Sequence, residues 1–221
     1  MNIAGNLENI LNELPDNVKL IPVSKTKPVE DIMKAYNAGY KIFGENRAQE
    51  LSWKYNELPK DIEWHMIGHL QTNKVKYIAP FVTMIHSVDS FKLLKIINRE
   101  AQKNERTIDC LLQVHIAREE TKFGFDMDEV GEMVDSDDFK ALNSINVKGL
   151  MGMATFTNNE DDIRSEFRYL AECYNLLKEK YFFSDPGFSE ISMGMSGDYK
   201  IAIEEGSTMV RVGSLIFGER H

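Results

Sequence analysis

The sequence predicts an α/β fold: a single (β/α)8 barrel with one extra helix at the N-terminus. Short apolar runs that are typical of buried strands alternate with helical apolar patterns about eight times along the chain. No linker, low-complexity segment or internal sequence repeat interrupts this alternation, so residues 1–221 are expected to form a single domain. An open, doubly wound sheet would show the same alternation and is the structural alternative.

The first half of the sequence begins with the extra helix. Apolar residues between Ile3 and Leu14 recur with helical spacing and stop at Pro15. Strand signals follow, and a helical pattern succeeds each of them. The predicted strands lie around Ile21 and at 41–43, 63–67 and 83–87, and the helices between them begin near Pro28, Asn46, Thr72 and Asp89.

The second half repeats this order of strands and helices. Its predicted strands lie at 108–116, 147–151, 191–193 and 208–212, and its predicted helices lie at 126–134, 163–181 and 198–205. If the sheet closes into a barrel, the first and last strands become neighbours. The residues that follow these two strands then face the same pocket.

The composition restricts the class of partner and the compartment. The formal net charge of −9 argues against a nucleic acid or an anionic membrane as partner, because both require basic patches. Cys110 and Cys173 lie in apolar surroundings and are expected to be reduced core residues. No apolar run reaches the length of a membrane span, and the N-terminus lacks a signal-peptide pattern. We therefore expect a cytoplasmic protein.

A lysine ends the first predicted strand. Ile21, Val23 and Lys25 share one face of an extended chain. An ammonium at the end of an apolar row is costly unless it reaches water, a counter-charge or a reaction partner, and desolvation favours the neutral amine that attacks aldehydes. Lys27 has the same strand parity, but Pro28 follows it, so its side chain is expected to turn toward solvent. Taken alone, this stretch is better explained as two solvated loop lysines.

The C-terminal part of the sequence supplies candidates for an anion site. Arg211 lies inside the last apolar strand, and Gly213 and Ser214 follow it. The stretch 194–197, which includes Ser196, leads into the last predicted helix. Backbone N–H groups at such turns bind phosphate, and glycine permits close approach. Either Gly-Ser pair alone is typical of an ordinary turn. Their joint position after the last two strands, together with the lysine, indicates a pocket for a phosphorylated aldehyde.

Several segments form a recognisable series in the order in which they occur. They are 23–28 (VSKTKP), 43–46 (FGEN), 64–71 (WHMIGHLQ), 193–196 (MGMS) and 206–213 (GSTMVRVG). This series resembles the pyridoxal phosphate homeostasis proteins, the YggS/PROSC family, which is related to the N-terminal barrel of the alanine racemases. The resemblance extends from residue 19 to 220. It implies an alanine-racemase-like TIM barrel and the cofactor pyridoxal 5′-phosphate (PLP).

The resemblance also implies roles for individual residues. Lys25 would hold PLP as an internal aldimine. Arg211 matches an arginine that points at the pyridine nitrogen in racemase barrels, although a surface salt bridge would also explain it. An arginine with a pKa above about 12 would not protonate that nitrogen, which makes the cofactor a weak electron sink. Asn46 belongs to the matching Gly-Glu-Asn motif and would either face the cofactor or cap a helix.

Four further positions are weaker candidates. Lys122 aligns with a racemase arginine near the cofactor hydroxyl, but a solvated loop lysine is the preferred explanation. Met153 lies where racemases place a ring-stacking side chain, but core packing is preferred. His65 and His69 lie at a strand end and in a loop, so they do not share a helix face as zinc ligands would. We predict no metal site.

Three functions follow from these observations. The chain is a binding protein that holds PLP in intracellular vitamin B6 homeostasis without catalysis, a PLP-dependent amino-acid racemase, or a Schiff-base aldolase for a sugar phosphate. Racemases that resemble this barrel carry a further domain with a tyrosine base, whereas this sequence ends at His221. Barrel aldolases usually carry their lysine on a later strand. The resemblance therefore implies the binding protein, expected to be a monomer that contacts PLP and, transiently, PLP-dependent apo-enzymes.

Overall fold

The computed structural model describes residues 2–117 and 123–219, and the strands within these residues form one sheet. The strands are β1 (Lys19–Pro22), β2 (Ile42–Glu45), β3 (Glu63–Met66), β4 (Met84–Val88), β5 (Ile108–Gln113), β6 (Ile145–Met151), β7 (Glu190–Met195) and β8 (Met209–Val212). Their order in the sheet is β1-β8-β7-β6-β5-β4-β3-β2, and neighbouring strands are parallel.

Helices connect successive strands and pack on the outside of the sheet. The first helix, α1 (Ile3–Glu13), precedes β1 as predicted. The others are α2 (Val29–Asn37), α3 (Ala48–Glu57), α4 (Val75–Ile78), α5 (Phe91–Lys103), α6 (Met127–Asp135), α7 (Asp137–Lys140), α8 (Glu160–Lys180), α9 (Tyr199–Glu204) and α10 (Ser214–Phe217), with a 3₁₀ turn at Thr72–Lys74 before α4.

Local sequence signals begin several of these helices. At the start of α5, Ser90 Oγ accepts a hydrogen bond from the Leu93 N–H at 3.3 Å. At the start of α6, Asp126 Oδ1 accepts from the Glu129 N–H at 2.7 Å, and Glu129 Oε2 accepts from the Asp126 N–H at 3.1 Å. These caps satisfy N–H groups that have no partner within the first turn of a helix.

The sheet closes where its first and last strands meet. All of β1 pairs in register with β8. On its other side, the chain after β1 reaches β2 through a parallel bridge between Val23 and Gly44, and the Ser24 N–H donates to Gly44 O at 3.0 Å. The predicted (β/α)8 barrel with an extra N-terminal helix is confirmed. The open, doubly wound sheet is wrong.

Two apolar layers stabilise the barrel. Because side chains alternate along a strand, Leu20 packs in the outer layer, between strands and helices, whereas Ile21 points into the barrel. The inner layer consists of Ile21, Val23, Ile67, Met84, Leu111, Met151 and Met209. The outer layer is larger and includes Phe43, Trp64, Leu51, Leu94, Phe167 and Val210. Both layers exclude water, which is the main favourable contribution to folding.

Three predicted local features are wrong. Lys25 does not end a strand, because β1 ends at Pro22 and the Lys27 N–H donates to Ser24 O at 3.0 Å, which places Lys25 in a turn. Asn46 does not cap a helix, because α3 begins two residues later with Arg47 at the cap position. The turn expected after β8 is the first part of a short helix, α10. In each case the strand ends or the helix begins at a position that apolar periodicity does not mark.

The sequence predicts no segment long and apolar enough to span a membrane. Within residues 2–117 and 123–219, no helix is long and apolar enough to span a membrane.

We expect Gly149→Ala to destabilise the barrel. Gly149 in β6 is paired with Glu190 in β7, and a Cβ at this position would lie 1.8 Å from the Glu190 carbonyl oxygen. That oxygen cannot move aside without disturbing the sheet, and the φ of 151° is also unfavourable for alanine. The free energy of unfolding should fall by about 3 kcal/mol or more.

Urea unfolding measures this loss. Gly131→Ala in α6 is the matched control, because a Cβ there meets only the Tyr181 hydroxyl oxygen at 3.3 Å. Alanine favours a helix over glycine by about 1 kcal/mol, so the control should not lose stability. If Gly149→Ala were as stable as the wild type, the contact with the Glu190 carbonyl oxygen would not destabilise the barrel.

Candidate functional site

A cleft of about 550 Å³ opens at the carboxyl ends of the strands. Its walls come from residues that follow β1, β2, β3, β6 and β7, and from β8 and the chain after it. The cleft brings together every site residue that the sequence predicts: Lys25, Asn46, Ser196, Arg211, Gly213 and Ser214. The carboxyl edge is where barrels of this type place their functional groups.

Lys25 lies in a turn at one side of the cleft. The turn spans Ser24 to Lys27, and Lys25 is half-buried. Lys27 also lines the cleft, and its Nζ donates to Glu219 O at 3.0 Å. The prediction that Lys27 turns toward solvent is therefore wrong. The turn keeps Lys27 half-buried, at the edge of the cleft beside the C-terminal segment.

A buried ion pair lies beneath this turn. Lys54 Nζ contacts Glu45 Oε1 at 2.6 Å, and both side chains are fully buried. Burial raises the pKa of the Glu45 carboxyl, while Lys54 and a hydrogen bond from Ser24 act in the opposite direction. Within the described part of the chain, Glu45 Oε2 is buried and has no hydrogen-bond partner. A buried charge pair of this kind requires close partners, because each ion has lost its water.

Hydrogen-bond donors lie at the ends of β7 and β8. The Gly213 N–H donates to Ser196 Oγ at 3.1 Å, which links the two strand ends. A hydroxyl that accepts one hydrogen bond keeps its own O–H to donate. Next to it, the first N–H groups of α10, which begins at Ser214, have no acceptor within the helix. A Cβ at Gly213 would lie 3.1 Å from Val23 O, so glycine permits this close approach of β8 to β1.

Arg211 in β8 is buried at the wall of the cleft. Its Nη1 donates to Ser192 O at 2.8 Å and to Ser192 Oγ at 2.7 Å, and its Nη2 donates to Gly152 O at 3.0 Å. Burial lowers the pKa of Arg211 to about 10, and Asp198 opposes this change. The guanidinium is therefore still charged at neutral pH. Its Nε–H and one Nη2 proton have no acceptor among the described residues.

A chain of buried hydrogen bonds leads from Arg211 into the barrel. Ser192 Oγ accepts from Arg211 and lies 2.9 Å from His86 Nδ1, and His86 Nε2 lies 2.9 Å from His65 Nδ1. Because Ser192 has no other acceptor among the described residues, its O–H donates to His86 Nδ1. His86 then carries its proton on Nε2 and donates it to His65. The direction of every bond is thus determined by the positive charge on Arg211.

Both histidines are neutral as a result of burial. Burial lowers the pKa of His65 to about 3 and lowers the pKa of His86 well below its usual range. For His86, the nearby Arg211 adds to this effect. The sequence suggests His65 only as a possible metal ligand and gives no role to His86 or Ser192. Isolated polar residues inside apolar strands are the signal that could have identified them.

The weaker candidates have different outcomes. Met153 is 42% exposed and lines the cleft, so its expected core packing is wrong; β6 ends at Met151 and leaves it in the following loop. Lys122 lies outside the described residues. His69 does not bond to His65; its Nδ1 lies 3.0 Å from Asp89 Oδ2. Within the described ranges no metal-binding cluster of His, Cys, Asp and Glu was found, and the absence of a metal stays a prediction.

Comparisons with known proteins agree with this geometry. The family model for the alanine racemase N-terminal domain matches residues 1–221. A pyridoxal phosphate homeostasis protein from Aquifex aeolicus (strain VF5) is 44% identical over 203 residues, which cover 91% of this chain and 87% of the relative. The chain belongs to the family of pyridoxal phosphate homeostasis proteins. A second member, from Vibrio alginolyticus, is 35% identical over 233 residues, covering 99% of this chain and 97% of the relative.

A solved structure supports the same assignment. PipY of Synechococcus elongatus PCC7942, with PLP bound, is 34% identical and superimposes with a TM-score of 0.88, covering 98% of this chain and 100% of that chain. The motif resemblance to the pyridoxal phosphate homeostasis family is confirmed. PipY therefore shares this barrel over its whole length.

The buried histidines should make stability depend on pH. In the unfolded chain a histidine binds a proton near pH 6.5, whereas folded His65 stays neutral down to about pH 3. Between these values the unfolded state binds more protons, so the free energy of unfolding falls as the pH falls. The expected slope is about 1.4 kcal/mol per pH unit for each histidine.

Urea unfolding at a series of pH values below neutrality measures this slope. His65→Gln removes one titrating group and keeps a polar side chain, so its slope should be smaller by about 1.4 kcal/mol per pH unit. An unchanged slope in His65→Gln would mean that His65 is not buried as a neutral group.

Proposed function

We propose that this protein binds PLP in the cleft without catalysing a reaction on it, and that it acts in intracellular vitamin B6 homeostasis. One observation carries the proposal: a lysine amine and a set of N–H and O–H donors line the same cleft after neighbouring strands. A primary amine binds an aldehyde, and convergent N–H and O–H donors bind a phosphate dianion. PLP carries both groups on one ring.

The dimensions and lining of the cleft fit a ligand of this class. Small-molecule pockets usually have volumes of roughly 300–1,000 Å³ and combine apolar walls with a few polar groups. The cleft of about 550 Å³ lies within this range. Its walls include Ile67, Met153 and Phe156, against which an aromatic ring can pack. The names of relatives and the bound PLP in PipY agree with this assignment.

Lys25 is the residue that we assign to the aldehyde. When bound, PLP supplies an aldehyde that condenses with an amine and a conjugated ring that accepts electrons. Lys25 would hold the group through its Nζ, which would condense with the aldehyde and release water.

We assign the phosphate to the donors after β7 and β8. Ser196 offers its O–H, and the start of α10 at Ser214 offers backbone N–H groups, so the phosphate would lie between the two strand ends. Gly213 donates its N–H to Ser196 Oγ and so helps to place this hydroxyl. Asn46, which follows β2, also lines the cleft and can donate from its amide to a ring substituent.

Arg211 is assigned to the ring nitrogen. A guanidinium with a pKa of about 10 donates a hydrogen bond but keeps its proton at neutral pH. The ring nitrogen would therefore stay unprotonated. A ring in that state accepts electrons weakly, which disfavours carbanion chemistry.

The acid–base groups of the cleft also favour a binding role. Among the described residues that line it, the ionisable side chains are Lys25, Lys27, Asp198 and Arg211. Asp198 Oδ1 accepts from the Met195 N–H at 2.5 Å, and burial raises the pKa of its carboxyl. Beyond Lys25, this part of the chain offers no histidine, tyrosine or cysteine at the cleft wall as a second acid–base group.

We further propose that the protein is a cytoplasmic monomer and that it transfers PLP during transient contacts with apo-enzymes.

A PLP-dependent amino-acid racemase is the alternative. It is favoured by the match of the whole chain to the alanine racemase N-terminal domain and by the position of Arg211 in the cleft. The two functions differ in whether free amino acids are turned over. They agree on the cofactor and on Lys25.

Borohydride reduction of the PLP-loaded protein should attach the cofactor to a peptide that contains Lys25. Reduction makes the bond between Nζ and the aldehyde carbon permanent, so mass spectrometry of a digest identifies the lysine. Lys25→Ala should lose the label. Lys27→Ala is the matched control, because Lys27 lies in the same cleft and should leave the labelling of Lys25 intact. Label found mainly on Lys27 would refute the assignment.

The loaded protein should not racemise, transaminate or decarboxylate free amino acids in repeated turnovers. A general acid or base contributes roughly 10²–10⁴ in rate, so the lack of a histidine, tyrosine or cysteine base among the described cleft residues is a large loss. Chiral chromatography of alanine and serine incubated with the protein measures racemisation, with Lys25→Ala as the blank. Multiple turnovers that disappear in Lys25→Ala would replace the binding function by the racemase.

A further inference from the structure

Two peptide units flank Lys25, and side chains of α3 hold both of them. The carbonyl oxygen of the preceding unit, Ser24 O, accepts from Lys54 Nζ at 2.8 Å. The N–H of the following unit, on Thr26, donates to Glu50 Oε1 at 2.6 Å. Lys54 and Glu50 also contact each other at 2.8 Å, four residues apart on the helix. The ion pair of Lys54 and Glu50 therefore holds the backbone on both sides of Lys25 by hydrogen bonds.

Lys54 is placed by a complete set of hydrogen bonds. An ammonium has three N–H donors, and those of Lys54 go to Ser24 O, Glu45 Oε1 and Glu50 Oε1. Glu45 Oε1 also accepts from Ser24 Oγ at 2.6 Å. The Lys54 side chain is fully buried and the Glu50 side chain is 19% exposed. This network connects the end of β2, helix α3 and the Lys25 turn rigidly.

The turn needs such support because its backbone is strained. Thr26 has a φ of 63°, in the left-handed region that a threonine rarely adopts. Lys25 has no positive φ, so the turn closed by Ser24 O and the Lys27 N–H has the pattern of a type II turn, in which glycine is usual at the position of Thr26. A conformation of this kind persists only when surrounding contacts impose it.

We propose that Glu50 and Lys54 are positioning residues that hold the Lys25 turn and aim the Lys25 amine at the aldehyde of the bound ligand. This inference rests on the proposed function, because it concerns how Lys25 reaches PLP. Neither Glu50 nor Lys54 lines the cleft, so both act through the backbone of Lys25 rather than on the ligand. The residues that we assign to the phosphate and the ring, which are Asn46, Ser196 and Arg211, lie outside the turn.

The test compares two ligands that differ only at the reacting group. PLP carries an aldehyde, whereas pyridoxine 5′-phosphate has the same ring and phosphate with an alcohol in its place. In Glu50→Ala the affinity for PLP should fall about tenfold, the usual effect of losing a hydrogen bond to a charged group. The affinity for pyridoxine 5′-phosphate should change by less than about twofold, because its contacts are retained.

Two variants serve as controls for Glu50→Ala. Glu50→Gln keeps an acceptor oxygen for the Thr26 N–H and should restore most of the PLP affinity. Glu57→Ala removes an exposed carboxylate from the same helix and should bind both ligands like the wild type. Wild-type PLP affinity in Glu50→Ala, or an equal loss for both ligands, would overturn the positioning role.

A measurement on the wild-type protein completes the test. Thr26 is exposed, so its amide should exchange rapidly with solvent unless Glu50 holds it. We expect clear protection of this amide in hydrogen exchange by NMR. Rapid exchange would show that Glu50 does not hold the turn. If the wild type bound PLP no more tightly than pyridoxine 5′-phosphate, the assignment of Lys25 to the aldehyde would fail. The exchange rate of the Thr26 amide would still test whether Glu50 holds the turn.

Discussion

The site depends on the parallel pairing of β1 with β8. This pairing closes the sheet, and beyond the last residues of both strands it brings the Lys25 turn beside Gly213 and α10. The Val23 N–H donates to Val212 O at 2.8 Å, and glycine at position 213 leaves room for β8 beside Val23, where a Cβ would lie 3.1 Å from Val23 O. An amine and an anion-binding turn that lie far apart in the sequence therefore face one cleft.

Two buried polar systems support this cleft from below. On the β1 side, Lys54 and Glu45 hold the backbone around Lys25. On the β8 side, Ser192 and the two buried histidines hold Arg211 in a fixed direction. Buried polar groups are costly unless they are paired, so their presence beneath a binding cleft indicates that orientation has been favoured over maximal stability. The ligand-facing residues are thus held by groups that do not touch the ligand.

The sequence is sufficient to predict the barrel and the residues of the cleft. The alternation of apolar runs and helical stripes indicates a parallel α/β sheet, and the pocket residues on its first and last units favour a closed barrel. Closure brings Lys25 into one cleft with Arg211 and Ser214. The supporting residues could not be predicted in the same way. Lys54 has the appearance of a surface lysine, and its burial depends on Ser24, 30 residues away. His86 and Ser192 are 106 residues apart, and only the folded sheet brings them together. Local turns, such as the one that places Lys25 outside β1, depend on backbone conformations that apolar periodicity does not encode.

The central claim is that one ligand is held at once by Lys25 and by the donors after β7 and β8. Phosphorus NMR of the borohydride-fixed adduct tests it most directly, because a phosphate monoester in water titrates near pH 6. If Ser196 and the N–H groups of α10 hold the phosphate, they favour its dianion, and the chemical shift should stay constant from about pH 5 to 8. Ser196→Ala should bring the titration back toward this range. A shift in the wild-type adduct that titrates like the free ligand would contradict the account.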